Sequence, residues 1–386
     1  MTPRKISIVT ETYVPDVNGV AISLRHLIDA LVRQGVAIQL IRTRPRSAWT
    51  PVVEEIGCPG ITIPMYPELQ MGLPSRRRIE AAWDSFKPDL VYLATEGLLG
   101  NSGLKVAMRR KIPVLSAFHT NFHRYSSYYG LGWIKTLTLS WLRRFHNRTG
   151  GTLVPSDEIA DLLQQEAFER VQVLPHGVDC DLFSPQKRSE TLRESWGVTP
   201  DQQVLLYVGR IAAEKNIPLA IAAYEKARAA NSELKFVLVG DGPLRDSLEK
   251  EHPEIEFAGV QTGETLSQYF ASADAFVFPS VTETFGLVTL EAMASALPVV
   301  AFDMAAAHKF VESGSEGVVA EVDNDDAFIE ALESLLSSDI SQLGRQARIK
   351  AESLSWDAVA TQFISIIEDE LERRGQASSS TLRTLV

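Results

Sequence analysis

The sequence predicts an α/β protein with two Rossmann-like domains, each a doubly wound parallel sheet, facing each other across a cleft. Short apolar segments rich in β-branched residues alternate with segments whose apolar residues recur at helical spacing. This alternation begins at residue 5 and starts again at residue 204, and 386 residues are enough for two domains. Because ligands of such sheets bind beyond the carboxyl ends of the strands, we expect the site in the cleft.

The first half shows the order of a parallel sheet, in which helices connect the strands. A turn at residues 15–19 follows the first strand, and Gly35 ends the first helix. The predicted elements are the strand KISIVTE, the helix ISLRHLIDALVRQG and the strands AIQLIRT, DLVYLAT, VLSAFHT and TLVPS.

The second half repeats this order. Its predicted elements are the strand VLLYVGR, the helix IPLAIAAYEKARAA, the strand KFVLVGDG, the helix LSQYFASAD, the strand AFVFPS, the helix LVTLEAMAS and the strand PVVAF. We therefore predict domains at residues 1–180 and 181–355, a final helix at residues 356–375 and a polar tail at residues 376–386.

Cysteine usage and hydropathy favour a cytoplasmic protein. Cys58 and Cys180 form neither a CxxC pair nor a metal-ligand spacing, so we interpret both as reduced thiols. The amino-terminal apolar run is too short for a signal peptide. No stretch reaches the roughly 18 apolar residues that a membrane-spanning helix needs.

The net charge of −11 is unevenly distributed. Residues 1–180 carry 21 basic and 16 acidic side chains, whereas residues 181–386 carry 17 and 33. Residues 97–156 hold nine basic and no acidic side chains, which indicates either a solvated face that arose by chance or a surface for an anionic partner. Nucleic acid is a poor candidate, because no RNP, zinc-finger or helix-turn-helix signature accompanies the charge.

Two cations follow the first strand of the second half, in the segment GRIAAEKN. Arg210 offers a fork of donors and Lys215 a point charge, and both can reach one diphosphate beside a helix start. The alternative interpretation is two ordinary surface cations.

The segment ETFGLVTLE follows the strand AFVFPS and opens a helix. Glu283 precedes this helix and Glu291 lies about two turns into it, so the two carboxylates would accept hydroxyls from different parts of a ligand. A helix N-cap and a surface glutamate would give the same spacing. Backbone amides at the helix start would face a phosphate, and they belong to Phe285, Gly286, Leu287 and Val288.

Two weaker candidates lie in the first half. Gly19, in NGVA, permits close approach of the backbone to a ligand, although any turn between a strand and a helix favours glycine. His119, at the end of the strand VLSAFHT, is a candidate to donate a hydrogen bond to a reacting sugar, and the alternative is a structural histidine.

Together these motifs resemble the retaining glycosyltransferases of family 4, which have the GT-B fold. The combination of GRxxxEK with ExFGLVxLEAMA is highly specific. ETYVPDVNGVA and FHTNFHRYSSYYG are most similar to bacterial GDP-mannose-dependent α-mannosyltransferases and to sulfoquinovosyl- and glucosyl-diacylglycerol synthases. The matching segments occur in family order over nearly the whole chain, and they are NGVA, HGVD, GRIAAEKN, VLVGDGPL, FAGV, SADAFVFPS and ETFGLVTLEAMASALPVV.

The resemblance implies that most of the donor site lies in the second half. Arg210 and Lys215 would bind the diphosphate and take part in catalysis. Glu283 would hold the transferred sugar, and Glu291 would bind the nucleotide ribose. Residues 285–288 would contact sugar and phosphate through their backbone.

The resemblance also assigns residues outside these motifs. Gly19 would approach the donor phosphates from the first domain, and His119 would lie near the reacting face of the sugar as a catalytic residue. Val260, in FAGV, would border the base. The final helix, from Trp356, would cross back onto the first domain.

The resemblance implies catalysis without a metal or other cofactor, because cations replace the metal as stabilisers of the leaving group. Two segments match the metal-binding DxD pattern of other glycosyltransferases, at residues 179–181 and 323–325. We interpret the first as part of a linker and the second as the cap of a helix. Residues 240–242 read GDG and lack the full GxGxxG pattern, so a nicotinamide cofactor is not supported.

Two segments depart from the family. Many relatives carry Gly-Gly where this chain has Asn18-Gly19, and a Gly-rich loop with an acidic residue where it has residues 303–308, DMAAAH. Both departures lie close to the expected sugar pocket, so the sequence leaves the donor sugar open.

A basic, aromatic-rich helix is predicted at residues 133–146, with Ile134, Leu137, Trp141 and Phe145 near one face. This face suits either the protein core or a membrane interface, where Trp and Arg are favoured. The second interpretation would place the protein on anionic lipid at the inner face of the cytoplasmic membrane.

The function that we expect is transfer of a hexose, with retention, from GDP-mannose or a UDP-hexose to a lipid or glycan acceptor, possible acceptors including diacylglycerol-type lipids. Two alternatives use the same fold. One is a sugar-nucleotide epimerase, which needs no acceptor, and the other is a non-catalytic protein that binds a nucleotide sugar.

Overall fold

The computed structural model of the protein describes residues 5–16, 18–47, 49–63, 66–118, 132–283 and 285–383. The chain divides into two compact units. The first combines Met1–His176 with Trp356–Val386, and the second is Gly177–Ser355. Each unit contains a parallel β-sheet with helices, so the predicted α/β class with two doubly wound sheets is confirmed.

The described strands of the first unit form one parallel sheet of seven strands and one antiparallel pair, β4 with β5. The order in the sheet is β3-β2-β1-β6-β7-β8-β9. The strands are β1 (Lys5–Thr10), β2 (Ala37–Thr43), β3 (Glu54–Cys58), β4 (Gly60–Ile63), β5 (Tyr66–Gly72), β6 (Leu90–Leu93), β7 (Val114–Ala117), β8 (Gly151–Val154) and β9 (Val171–Val173). The helices before the second unit are α1 (Gly19–Arg33), α2 (Arg76–Phe86), α3 (Leu98–Arg110), α4 (Gly132–His146) and α5 (Asp157–Gln165).

The central strands of this sheet are buried on both faces, as parallel strands between helix layers are. In β1, Ile6 and Ile8 belong to one core cluster and Val9 to another. Ser7 is also buried, and its hydroxyl accepts a hydrogen bond of 2.8 Å from Nε1 of Trp83. The adjacent strands β1 and β6 form the point at which the strand order reverses, where ligands of such sheets bind.

The second unit, over its described residues, contains a six-stranded parallel sheet in the order β12-β11-β10-β13-β14-β15. The strands are β10 (Val204–Val208), β11 (Lys235–Val239), β12 (Glu256–Gly259), β13 (Ala275–Phe278), β14 (Val299–Phe302) and β15 (Gly317–Ala320). The helices are α6 (Glu190–Ser195), α7 (Ile217–Ala230), α8 (Arg245–Glu251), α9 (Gly263–Ser272), α10 (Leu287–Ala294), α11 (Ala305–Phe310), α12 (Asp325–Leu336) and α13 (Ile340–Glu352). Short 3-10 turns occur at Pro185–Lys187 and Ala213–Lys215. Here the strand order reverses between β10 and β13.

The last helix, α14 (Trp356–Arg383), belongs to the first unit. Trp356 and Phe363 are buried in a cluster with residues of α1 and β1. Arg33 of α1 forms an ion pair of 2.8 Å with Asp357. The helix continues to Arg383, beyond the predicted end at residue 375, because no proline follows Gly375 to stop it.

The predicted elements differ from the observed ones at their ends, and six described strands were not predicted, namely β3, β4, β5, β9, β12 and β15. Helix α1 begins at Gly19 rather than Ile22, because Oδ1 of Asn18 caps it by accepting the amide hydrogen of Ala21 at 2.9 Å. Along the described chain, no helix is both long enough and apolar enough to cross a membrane.

Candidate functional site

Lys215 and Glu283 lie at the carboxyl ends of the two strands where the order of the second sheet reverses. Lys215 ends the 3-10 turn after β10, and Glu283 lies in the segment after β13. Their side chains form an ion pair between Nζ and Oε1 and are only 19% and 17% exposed. The sheet topology thus brings together two of the predicted catalytic residues.

The surroundings of this ion pair restrict both partners. The Nζ atom of Lys215 lies 5.9 Å from the centroid of the Phe278 ring, within reach of a cation–π interaction. The Ser280 hydroxyl donates a hydrogen bond of 2.9 Å to the same Oε1 atom of Glu283. A ligand anion would therefore compete with Glu283 for Lys215, and its arrival would free the carboxylate to accept other hydrogen bonds.

Arg210 is the more accessible of the two predicted cations. Its side chain is 64% exposed and forms an ion pair of 3.1 Å with Glu214 in the same loop. Its backbone is held, because the Tyr207 hydroxyl donates a hydrogen bond of 3.0 Å to the carbonyl of Arg210. The guanidinium can thus leave its weak exposed pair for a ligand while the loop stays in place.

Two loops approach each other closely beside these cations. A Cβ atom at Gly240, which follows β11, would lie 1.9 Å from the carbonyl oxygen of Gly209. Only glycine fits at this position, so the GDG segment has a structural role next to the loop that carries Arg210.

The segment after Glu283 presents the start of helix α10. Gly286 is the N-cap in the left-handed region, with φ of 85°, and no side chain caps the helix. The backbone amides that open α10 therefore have no side-chain acceptor in the described chain, as at anion-binding helix starts. Thr284 lies outside the described residues. Phe285 has a buried side chain, and its carbonyl accepts the amide hydrogen of Ala306 at 2.8 Å.

A small pocket lies between this segment and the residues that follow β14. Glu283, Gly286 and Thr289 line one side of the cavity. Met304 and Ala306 line the other side, in the loop where relatives carry glycines. The departure from the family pattern therefore borders the cavity that Glu283 enters.

Glu291 lies one turn into α10 and is partly buried. Burial raises the pKa of this carboxyl from 4.5 to about 7. Its two oxygens can each accept a hydrogen bond, so the group suits a pair of ribose hydroxyls. Val260, the other residue predicted to contact the nucleoside, is 66% exposed directly after β12.

The first unit contains the remaining predicted residues. Gly19 opens α1, and a Cβ atom there would have nothing within 4 Å, so local packing does not require glycine. Asn18 caps the helix and donates to the Thr12 hydroxyl at 2.7 Å, which fixes the loop between β1 and α1. His119 lies outside the described residues, and its role remains a prediction.

Sequence reasoning missed the group that holds this loop. Arg42, at the end of β2, is fully buried and donates hydrogen bonds to the carbonyls of Tyr13 at 3.1 Å and Val14 at 2.5 Å. An arginine in an otherwise apolar strand was the available signal, because a buried cation needs such partners.

Glu11 was also missed. Its carboxylate accepts the amide hydrogen of Leu99 at 2.8 Å near the start of α3. Burial, with Glu96 nearby, raises its pKa to about 7. The acid in ETYVPDVNG is thus a cap for a helix distant in sequence.

The basic helix α4 divides between core and solvent. Leu142 and Phe145 are buried, whereas Leu137 is 61% and Trp141 41% exposed. The side chain of Ile134 lies outside the described part of the chain. The predicted apolar face is therefore core at its carboxyl-terminal end and open to solvent over Leu137 and Trp141.

The DxD-like segments have structural partners. Oδ1 of Asp179 accepts the backbone amide hydrogens of Asp181 and Leu182 at 3.1 and 2.9 Å. Asn324 caps α12 by accepting the amide hydrogen of Ala327 at 3.1 Å.

Comparison with known proteins gives two family matches that together span most of the chain. Residues 17–182 match the family described as Glycosyltransferase Family 4, and residues 202–338 match the one described as Glycosyl transferases group 1. A GDP-mannose-dependent alpha-mannosyltransferase of Mycolicibacterium smegmatis is 32% identical over 378 residues, which cover 96% of this chain and 98% of the relative.

Other relatives carry different names. An alpha-monoglucosyldiacylglycerol synthase of Streptococcus pneumoniae is 28% identical over 315 residues, covering 77% of this chain and 70% of the relative. Among solved structures, a sucrose-phosphate synthase from Thermosynechococcus elongatus superimposes with a TM-score of 0.72 at 20% identity, covering 95% of this chain and 98% of that one. This likeness and those to related transferases confirm the GT-B fold.

Proposed function

Since this chain belongs to glycosyltransferase family 4 and is a glycosyltransferase, we propose that it transfers a hexose, with retention, from a nucleoside diphosphate sugar to a lipid or glycan acceptor. The observation that carries the proposal is the Lys215–Glu283 pair where the strand order of the second sheet reverses. A cation for the leaving diphosphate and a carboxylate for sugar hydroxyls lie there beside the amides that open α10.

In the proposed reaction the donor diphosphate replaces Glu283 as the ion-pair partner of Lys215. Arg210 likewise exchanges its ion pair with Glu214 for one with the same phosphates. The released carboxylate of Glu283 binds hydroxyls of the sugar, and the amides of residues 286–288 bind phosphate and sugar oxygens. The acceptor hydroxyl attacks the anomeric carbon on the face from which the diphosphate leaves, so that the bond to the phosphate oxygen breaks as the new C–O bond forms. The hydroxyl proton passes to the departing phosphate oxygen, while Lys215 and Arg210 stabilise the charge that develops on the diphosphate. No step in this scheme requires a metal ion.

The remaining residues complete the donor site. Glu291 binds the ribose, Val260 borders the base, and Gly19 approaches the phosphates from the first unit. His119 donates a hydrogen bond to the sugar. The name of one relative supports GDP-mannose as the first donor to test, and UDP-hexoses are the alternatives.

For the acceptor we propose a lipid, reached by peripheral binding to anionic membranes at the cytoplasmic face. Leu137 and Trp141 are exposed on α4, and Arg144 is exposed on the same helix. Apolar side chains beside cations suit an anionic interface, where each basic residue contributes about 1 kcal/mol. The diacylglycerol named for one relative supports the same class of acceptor.

The donor proposal is tested by ligand-dependent melting and turnover. Among nucleotides and nucleotide sugars, we expect the true donor to raise the Tm most, because it binds only the folded protein. Lys215→Ala should lower turnover with that donor at least about 100-fold, as loss of one oxyanion donor does. The matched control is Lys226→Ala, whose lysine forms an exposed ion pair of 3.2 Å with Glu333. Near-full activity of Lys215→Ala would refute the role.

The membrane proposal is tested with phosphatidylglycerol vesicles at low salt. The double variant Leu137→Ser and Trp141→Ser should bind these vesicles more weakly than the wild type, and phosphatidylcholine vesicles should bind neither strongly. The control is Ile349→Ser, which removes a side chain that is 60% exposed in the second unit. Failure of the wild type to bind the anionic vesicles would refute the proposal.

Membership of the glycosyltransferase family disfavours a sugar-nucleotide epimerase, the alternative that would use the same donor groups without an acceptor. Incubation with the donor alone distinguishes the two: an epimeric nucleotide sugar supports the epimerase, whereas its absence together with transfer to an acceptor supports the transferase. Donor binding without turnover on any acceptor would favour a non-catalytic protein.

A further inference from the structure

Three metal-ligating side chains converge on the surface of the second unit, outside the donor site. Glu225 lies on α7, His252 follows α8, and Glu254 precedes β12. Nδ1 of His252 is 3.2 Å from Oε1 of Glu225 and 3.7 Å from Oε1 of Glu254. The three ligand atoms all lie within 4.8 Å of one another.

We propose that Glu225, His252 and Glu254 form a structural site for a divalent metal ion of the Zn²⁺ class, with water as the fourth ligand. An imidazole nitrogen and carboxylate oxygens are ligands that Zn²⁺ takes in proteins. Tetrahedral coordination at 2.0–2.2 Å separates neighbouring ligand atoms by about 3.3–3.6 Å. The two distances from Nδ1 lie close to that spacing, so small side-chain movements suffice for binding.

A hydrogen bond from His252 cannot pair Nδ1 with both carboxylates at once, whereas a metal ion can bind all three groups. A single hydrogen on Nδ1 can be donated to only one of the two carboxylates. The nearby cation Lys235 donates its hydrogen bond of 2.9 Å to the backbone carbonyl of Glu254 and not to its carboxylate. A divalent ion accepts the lone pair of Nδ1 and offsets both carboxylates together.

The position of the site gives it a structural consequence. Strand β12 is at the edge of the sheet, and Glu254 lies before its amino-terminal end, whereas Val260 follows its carboxyl-terminal end. Glu225 is about 12 Å along α7 from the start of that helix, which follows Lys215. The ion would therefore join α7 to the edge strand from beneath the donor site and take no part in transfer.

The test uses the full chain without an affinity tag, freed of metal by chelation and titrated with zinc chloride. We expect one tight zinc per chain by calorimetry. At a concentration about 100 times the dissociation constant, the Tm should rise by about 5–10 °C. His252→Ala and Glu225→Gln should each lose the tight zinc and this shift.

The matched control is His308→Ala, because Nδ1 of His308 contacts a single carboxylate, that of Asp303, at 2.8 Å. This variant should keep the zinc and the Tm shift. The exposed variant Glu225→Gln keeps the test valid if His252→Ala does not fold. Absence of a zinc-dependent shift in the wild type, or its retention in Glu225→Gln, would overturn the proposal and leave an ion pair alone.

Discussion

The buried arginine at the end of β2 allows a stability change to be worked out from its contacts. Arg42 is fully buried, and its guanidinium donates hydrogen bonds to three backbone carbonyls, those of Tyr13, Val14 and Thr43. Glu55 lies 3.9 Å away with a side chain that is 9% exposed. Arg42→Met would therefore leave carbonyls and a carboxylate without their cation.

The magnitude follows from opposing terms. Hydrogen bonds from a charged donor contribute about 1.5–3 kcal/mol each, which gives about 4.5–9 kcal/mol for three. The guanidinium also loses hydration on burial, which offsets several kcal/mol. Since the partners stay behind without it, we expect Arg42→Met to lower the free energy of unfolding by about 3–5 kcal/mol. Arg42→Lys should lower the free energy of unfolding less, because an ammonium group keeps the charge and some of the hydrogen bonds of the guanidinium.

The assay is urea unfolding, monitored by hydrogen exchange of peptides from β1 to α1. These peptides report the unfolding of the first unit separately from that of the second. The control is Arg25→Met: Arg25 is 28% exposed, pairs with Asp29, and should cost less than about 1 kcal/mol. If the free energy of unfolding of Arg42→Met lies within about 1 kcal/mol of the wild-type value, the reasoning is refuted.

Three further predictions concern the stability of variants. Ala305→Gly should raise the free energy of unfolding by about 0.5–1 kcal/mol, because φ at this residue is 50°, which favours glycine. Ala307→Gly, in the buried face of α11, should lower the free energy of unfolding by about as much. Thermal denaturation of both variants measures the two changes, and changes of equal sign would contradict the prediction. The pKa of Glu291 is about 7 in the folded protein and 4.5 in the unfolded chain, so its contribution to wild-type stability should fall as pH rises from about 4.5 to 7. Glu291→Gln should therefore melt at a higher temperature than the wild type at pH 8, while it binds the donor more weakly. If the stability of the two proteins has the same slope against pH, the prediction is refuted. In Gly97→Ala the added Cβ would lie 1.7 Å from Oε2 of Glu11 and displace this helix cap. The free energy of unfolding should fall by about 1–3 kcal/mol, and by less in a Glu11→Ala background. A double-mutant cycle in which the two effects add would contradict the prediction.

Much of the fold could be predicted because its elements have strong local signals. Helix α7 spans the predicted residues 217–230, with a proline in its first turn and Asn231 after its end. The four predicted strands of the second sheet are mostly apolar runs, as is common for buried parallel strands. The strands β3, β4 and β5 were missed, because their segments contain Gly or Pro and alternate weakly. The strands β9, β12 and β15 were missed because they have only three or four residues each.

The candidate site was predicted as residues but not as contacts. Lys215 and Glu283 are separated by 68 positions, and they pair because β10 and β13 are neighbours in the sheet. Local patterns do not state strand order, so the pair was not foreseen. Arg42 was missed for another reason: a polarity pattern treats arginine as exposed, whereas three carbonyls here satisfy it in the interior.

The membership of α14 in the first unit has a consequence for the order of events during synthesis. The core around α1 includes Trp356, Val359 and Phe363, which leave the ribosome after the whole second unit. At 5–20 residues per second, residues 177–355 take roughly 10–40 seconds to emerge, so the second unit has its whole sequence first. During that interval the apolar side of α1 that will receive α14 has no cover from its own chain. A nascent first unit is therefore a predicted client of ribosome-associated chaperones, and truncation before Trp356 should cause aggregation rather than yield a smaller folded protein.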